Sequence, residues 1–250
     1  MNKVSFDLYS HYYDLLYEDK NYLEETDYII RLLQEFNISD GYLLEYGSGT
    51  GKHGRILGDA GFNVHGIELS ETMVKLAKTT DNFTCEQGDI CELSLGRKFD
   101  AVLSLFHVVS YLTDNERINS LFSRVYEHLD IGGIFIFDVW YSPAVLAQKA
   151  SNRIKRVNDE VMDVTRIGEP DFFPNENRID VNYTIFVTEK KTGNSEIITE
   201  RHSMRYFSVP EIKFLAEFHG FALRRSEEFL TAEQPSLETW GVCFVLERIR

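Results

Sequence analysis

The chain has 250 residues, 43% of them hydrophobic, enough to bury the core of one ordinary domain with room for an insertion. Its net charge of −14 repels phosphate backbones and argues against a nucleic-acid partner. No long apolar run and no signal-peptide core occur, and three cysteines (Cys85, Cys91, Cys243) fit no metal spacing, so a cytoplasmic protein with reduced thiols, no membrane contact and no metal is expected.

Tyr9, Tyr13 and Tyr17 are spaced four apart and share one face if residues 5–20 are helical. Residues 22–36 carry a helical apolar stripe closed by 37–41. Strands and helices then alternate. Residues 42–46 read as strand one, 51–61 as a helix, 62–67 as strand two, and Ser70 caps a helix that runs to Lys78. Strands three and four fall at 83–87 and 99–105, a helix at 114–129, and strand five at 134–139 after a Gly132-Gly133 turn. This alternation predicts an α/β fold with a parallel sheet covered by helices on both faces. From 154 to 207 the pattern changes to period two, with Lys191-Thr192-Gly193-Asn194 as a hairpin turn, which predicts an antiparallel insertion of about three strands. A helix at 209–219 and strands at 221–229 and 240–247 finish the chain. The expected organisation is one domain over 1–250, with an N-terminal helical cap over 1–40 and a substrate-side antiparallel insertion over 150–207.

Residues 43–51, Leu-Leu-Glu-Tyr-Gly-Ser-Gly-Thr-Gly, carry the most chemistry. A buried strand ends in an acid, Glu45, and enters a glycine-rich turn. The next strand ends at Glu68, 23 residues on. Two carboxylates flanking bare backbone suit a neutral or cationic nucleoside and repel a polyphosphate. Gly49-x-Gly51-x-x-Gly54 also matches the dinucleotide fingerprint, but Glu45 beside the turn opposes a pyrophosphate. After strand three, Asp89 of Gly88-Asp89-Ile90 can accept from an adenine amino group while Ile90 packs on the ring. Strand four ends at Phe106-His107, facing the same crevice at the carboxyl ends of the strands.

Glu45-x-Gly47-x-Gly49-x-Gly51, Glu68, Gly88-Asp89-Ile90, Phe99-Asp100-Ala101-Val102 and Gly132-Gly133 together resemble the class I S-adenosylmethionine-dependent methyltransferases, over about residues 40–140 and the final strand pair. The resemblance implies a Rossmann-like seven-stranded sheet and S-adenosyl-L-methionine as cofactor. It implies Glu45 near the ammonium end, directly or through water, Gly47 and Gly49 along the methionine portion, and Glu68 on the ribose hydroxyls. Leu69 and Ile90 would enclose adenine, with Asp89 on its amino group. Leu105 is assigned to the cofactor side, and Tyr13, on the face of Tyr9 and Tyr17, to a ring over the sulfonium, with core or helix-packing tyrosines as the competing reading.

The flanks are similar to a narrower group. Tyr9-Ser10-His11-Tyr12-Tyr13-Asp14-Leu15-Leu16-Tyr17, Asp138-x-Trp140-Tyr141 and Glu200-Arg201-His202-x-x-Arg205 resemble the bacterial nucleotide-sugar methyltransferases, notably amino-sugar N-methyltransferases. One departure is visible: some amino-sugar dimethylases carry a histidine where this chain has Tyr111. The acceptor atom therefore stays open between amine and hydroxyl.

Methyl transfer from a sulfonium is an in-line displacement, and alignment alone contributes about 7–11 kcal/mol. A sugar hydroxyl also needs a general base. His107, Tyr9 and His202 are the catalytic candidates, with Glu200 sharing a strand face with His202. Tyr111, Trp140, Glu200 and Arg205 are assigned to the acceptor. Arg153, Lys155 and Arg156 stand apart from acids and are assigned to a nucleotide-sugar diphosphate; a solvated surface face is the competing reading. Asp138 has no Asp-Asn pair beside it to complete a magnesium site. The expected partner is a small molecule, a nucleotide sugar first, with the chain a monomer or homodimer. Two other readings compete: methylation of another small metabolite or glycan precursor, and cofactor binding without catalysis.

Overall fold

A computed structural model describes residues 12, 15–17 and 19–250, so Tyr9 and Tyr13 lie outside the described residues. The chain forms two compact units, one of Tyr22–Gln148 with Arg205–Arg250 and one of residues up to Asn21 with Lys149–Met204.

The larger unit begins with helix α1 (Tyr22–Glu35), whose buried stripe of Tyr28, Ile29, Leu32 and Leu33 seats it on the sheet. Strand β1 (Gly41–Tyr46), helix α2 (Lys52–Asp59), β2 (Phe62–Glu68), the short α3 (Glu71–Leu76), β3 (Phe83–Gln87) and β4 (Phe99–Ser104) follow. Helix α4 (Asn115–His128) is capped by Asp114, whose carboxylate accepts from the Arg117 N–H at 2.8 Å. Ser70 caps α3 as its sequence predicts, accepting from Met73 N–H at 3.3 Å.

Strand β5 (Leu129–Tyr141) differs from the expected turn-then-strand. Gly132 and Gly133 lie inside it, and the register against β4 shifts between Phe99 and Ala101. The shift absorbs the extra residues as an irregularity rather than a loop. Helix α5 (Ser142–Gln148) follows; its two-residue apolar core, Ala144 and Val145, gives no long periodic signal.

Strands β1, β2, β3, β4 and β5 run parallel in the order β3-β2-β1-β4-β5. At the far edge, β11 (Gly241–Arg248) pairs antiparallel with β5, and β10 (Phe221–Glu228) pairs with β11. Helix α6 (Val209–Phe218) precedes that last pair. This is the seven-stranded Rossmann-like sheet expected. Strand order reverses between β1 and β4, so the crevice opens at their carboxyl ends. Aromatic rings fill one side of the sheet, with Phe135 and Phe137 stacked at 4.5 Å and Phe137 and Phe244 at 5.5 Å. Each fully buried phenylalanine contributes about 1.5–3 kcal/mol by leaving water.

The insertion holds four strands rather than about three: β6 (Arg153–Asn158), β7 (Met162–Phe173), β8 (Arg178–Glu189) and β9 (Ser195–Phe207). The β6–β7 turn was hidden because it uses no glycine; Asp159 closes it by accepting from the Val161 and Met162 N–H groups at 2.8 Å. Beyond the insertion, Tyr206 and Phe207 at the end of β9 pair parallel with Trp140 and Tyr141. Within the insertion unit, Tyr12, Leu15 and Leu16 pack on Met162, Val164, Ile185 and Val187. Among the described residues no helix is long and apolar enough to cross a membrane, and Cys85, Cys91 and Cys243 are free thiols.

Candidate active site

The turn after β1 is set by backbone conformation. Gly47, Gly49 and Gly51 have φ of +71°, +55° and +73°, a region that residues with a Cβ enter at a cost. Gly47 and Ser48 N–H both donate to Ile67 O, at 2.8 and 3.2 Å, which ties the turn to β2. A Cβ at Gly47 would run into Val108, whereas one at Gly49 would meet nothing within 4 Å. The Gly49 face is therefore open backbone against which a ligand can lie.

Glu68 ends β2 and holds this loop from the other side. Its Oε2 accepts from Gly49 N–H at 2.9 Å and its Oε1 from Ser70 N–H at 2.8 Å. Each oxygen keeps a further lone pair for hydroxyl donors. Glu45 is 2% exposed at the end of β1. Beside it stands a residue that the sequence reading passed over, His53 in the first turn of α2. His53 Nδ1 lies 3.8 Å from Glu45 Oε1, and its Nε2 lies 2.7 Å from Glu25 Oε2 on α1. A histidine between two carboxylates leaves this corner net acidic, as an ammonium requires. The only sequence signal was a histidine two residues into the helix after the glycine turn.

Leu69 is exposed and Ile90 is buried, so Leu69 has a free apolar face while Ile90 also belongs to the core. Leu105 is buried just past the end of β4. Asp89 is already engaged: both of its oxygens lie 3.0 Å from Arg117 Nη2, and Oδ1 accepts from Cys91 N–H at 2.9 Å. An adenine amino group at Asp89 would share the carboxylate with Arg117.

Past β4 the backbone is strained. Phe106 and His107 are consecutive non-glycine residues at φ +67° and +61°, each worth about 1–3 kcal/mol of strain. The buried carboxylate of Asp138 offsets this. Its Oδ2 accepts from His107 N–H at 3.1 Å and lies 2.6 Å from His107 Nδ1. His107 also meets Phe106 and Trp140 rings at 5.9 and 6.4 Å, and Trp140 meets Trp240 at 5.6 Å. Tyr111 is about half exposed at the end of the 3-10 turn Val108–Tyr111. An imidazole beside a buried carboxylate thus sits against aromatic rings three residues beyond the end of a crevice strand.

The other sequence-assigned residues make contacts of their own. Arg205 donates to Asn115 Oδ1 and to Glu211 Oε1, both at 2.7 Å, which commits it to bracing α4 and α6. His202 and Glu200 belong to the insertion unit. There Glu200 accepts from Tyr12 OH at 3.1 Å and lies 3.2 Å from His202 Nε2, and its carboxyl pKa is lowered chiefly by that histidine. Strand alternation divides the cationic run: Arg153 and Lys155 share one face of β6, and Arg156 faces the other way. Lys155 is spent on Leu16 O and Asp19, at 2.7 and 3.1 Å. The three cations assigned to a diphosphate therefore do not act as one cluster.

Residues 43–133 match the family described as a methyltransferase domain. A dTDP-3-amino-3,4,6-trideoxy-alpha-D-glucopyranose N,N-dimethyltransferase of Streptomyces venezuelae is 31% identical over 178 residues, covering 69% of this chain and 74% of that protein. Two solved structures share the fold. An S-adenosylmethionine-dependent methyltransferase from Clostridium acetobutylicum superposes with a TM-score of 0.82 at 22% identity, covering 99% of this chain and 100% of the other. A sugar N-methyltransferase from Streptoalloteichus superposes at 0.80 and 22% identity, covering 95% and 93%.

Proposed function

The chain belongs to the class I S-adenosylmethionine-dependent methyltransferases, and from that premise we propose that it methylates the amino or hydroxyl group of a nucleotide-linked sugar, with His107 as the general base. The observation that carries this reading is the 2.6 Å approach of His107 Nδ1 to the buried Asp138 carboxylate beside the crevice.

The residues around the glycine turn fit the cofactor. Open backbone at Gly49, the Glu68 lone pairs and the acidic corner of Glu45, Glu25 and His53 match an uncharged nucleoside with an ammonium tail. S-adenosylmethionine, when bound, supplies a methyl group on a good, neutral leaving group.

The remaining work falls to the protein. With Nδ1 of His107 against the Asp138 carboxylate, the other ring nitrogen, Nε2, is the one assigned to the acceptor. That nitrogen can take the proton that a hydroxyl or an ammonium must lose before or during attack. The Phe106 and Trp140 rings lie against the imidazole, and Trp240 backs Trp140. The similarity to an amino-sugar dimethyltransferase supports a sugar acceptor; Tyr111, in place of the histidine of some such enzymes, leaves amine and hydroxyl both open.

The test is a panel of nucleotide-linked amino and neutral sugars incubated with cofactor and followed by mass for the gain of one or two methyl groups. Turnover on one or more members is expected. No gain on any member, with the cofactor bound, would remove the acceptor class.

A further inference from the structure

The loop after β3 is fastened to the first turn of α4 by one arginine. Arg117 is the third residue of that helix, and the Asp114 cap accepts from its N–H at 2.8 Å. Its side chain turns back to the loop, where Nη2 lies 3.0 Å from both oxygens of Asp89. Its carbonyl accepts from Cys91 Sγ at 3.4 Å, and Cys91 N–H donates to Asp89 Oδ1 at 2.9 Å. Burial pushes the Cys91 thiol up to about 11, so it stays a neutral donor. The Asp89 carbonyl is used as well, by the Glu92 and Leu93 N–H groups at 3.0 and 2.9 Å.

These donors divide the carboxylate unevenly. Each carboxylate oxygen takes about two hydrogen bonds. Among the described residues, Oδ1 receives Cys91 N–H and Arg117, whereas Oδ2 receives Arg117 alone. One acceptor position is left, on Oδ2, and Arg117 and Cys91 together set its direction. Arg117 also offsets the charge of Asp89. Carboxylates without a cation at both ends of the crevice would give a cationic amino-acid tail two places to go; the arginine leaves the Glu45, Glu25 and His53 corner as the acidic one. The Arg117 side chain is 39% exposed on the helix surface, so its replacement removes the clamp without opening a cavity in the apolar core.

We propose that Arg117 is the positioning residue for adenine: it holds Asp89 so that Oδ2 takes the 6-amino group of the cofactor, and it thereby sets the preference for adenine over a purine without that group. This inference rests on the cofactor site described above and holds whichever acceptor is methylated.

The test uses the full chain and two probes, S-adenosylhomocysteine and its analogue with hydrogen in place of the adenine 6-amino group, with binding measured by calorimetry. The native chain should prefer the amino form by about tenfold or more, as for a hydrogen bond to a charged group. R117Q should lose most of that preference by weakening S-adenosylhomocysteine alone, with the analogue bound as before. R117K, which keeps the charge without the planar fork, should recover part of it. D89A should abolish the preference, and adding R117Q to D89A should change nothing further. Equal weakening of both probes in R117Q would mean that Arg117 only joins loop to helix. Native affinity of R117Q for both would mean that Asp89 needs no partner. Either result overturns the inference. A native chain that binds both probes equally would put adenine away from Asp89 and overturn it too, with the cofactor still bound. Binding of neither probe would remove the cofactor site and this inference with it.

Discussion

Asp138 Oδ2 touches His107 twice, at 3.1 Å from the backbone nitrogen and at 2.6 Å from the ring nitrogen Nδ1. One buried carboxylate therefore holds the left-handed backbone by a hydrogen bond and sets its charge against the ring of the same residue. D138N keeps the shape but removes the negative charge beside Nδ1. It should lower kcat by about 10²–10³-fold, with a much smaller change in the acceptor KM. H107Q should lower kcat to a similar level, and the double variant should fall little further. Steady-state kinetics on the acceptor found in the panel checks this. A change confined to KM would show that the pair only binds.

Gly49 and Gly61 offer a matched pair. Both have positive φ, +55° and +106°, and neither would place a Cβ within 4 Å of another atom. Each alanine substitution should cost about 1–2 kcal/mol of stability from backbone strain. Only G49A sets a methyl group on the face assigned to the cofactor. Calorimetry should find S-adenosylmethionine at least about tenfold weaker for G49A and unchanged for G61A; equal affinities would place the cofactor elsewhere.

The parts of this chain that could be read from sequence are those written contiguously. Five parallel strands, the glycine turn and the acids Glu45 and Glu68 each lie within a few residues of the signal that announces them. The contacts that complete the site are not local. Glu25 reaches His53 across 28 residues, and His107 reaches Asp138 across 31. Neither pair has a spacing that a helix or strand period would expose. The cationic run was legible as charge but not as geometry. Its period-two setting puts Arg156 opposite to Arg153 on β6, and the next strand, β7, follows at once. A hairpin turn without glycine hid that strand boundary.

Buried His128 should make the fold acid-sensitive. Leu95 N–H donates to its Nε2 at 3.0 Å and Tyr46 OH lies 2.9 Å from Nδ1, so both nitrogens are used by the neutral ring. Burial lowers the His128 pKa. The unfolded chain then binds a proton that the folded chain refuses, so stability is full above the unfolded value of about 6.5 and falls as pH drops below it, by up to about 1.4 kcal/mol per pH unit. H128Q should be less stable at pH 8, by about 1–3 kcal/mol for a disrupted buried network, and should show a shallower slope between about pH 5 and 6.5. His219 shares the sign of the shift and remains in both proteins. Urea unfolding across pH measures both slopes; parallel curves would assign the acid sensitivity to other groups.

The contact between Glu25 and His53 joins the first turn of α1 to the first turn of α2, directly behind the glycine turn. Their 2.7 Å separation, the 5.0 Å edge contact of Tyr22 on the His53 ring and the position of Lys52 over Tyr22 at 5.1 Å form one patch. His53 is also 3.8 Å from Glu45, so a change at Glu25 alters the charge balance of the acidic corner through the imidazole. E25Q and H53Q should each cost about 1–3 kcal/mol, and the double variant should cost clearly less than their sum, with a coupling of about 0.5–3 kcal/mol. Urea midpoints of the four proteins give the cycle. Additive losses would mean that the two helices are held by their apolar stripes alone. A coupled cycle with weakened S-adenosylmethionine binding in both single variants would tie α1 to the cofactor corner, because His53 lies between Glu25 and Glu45.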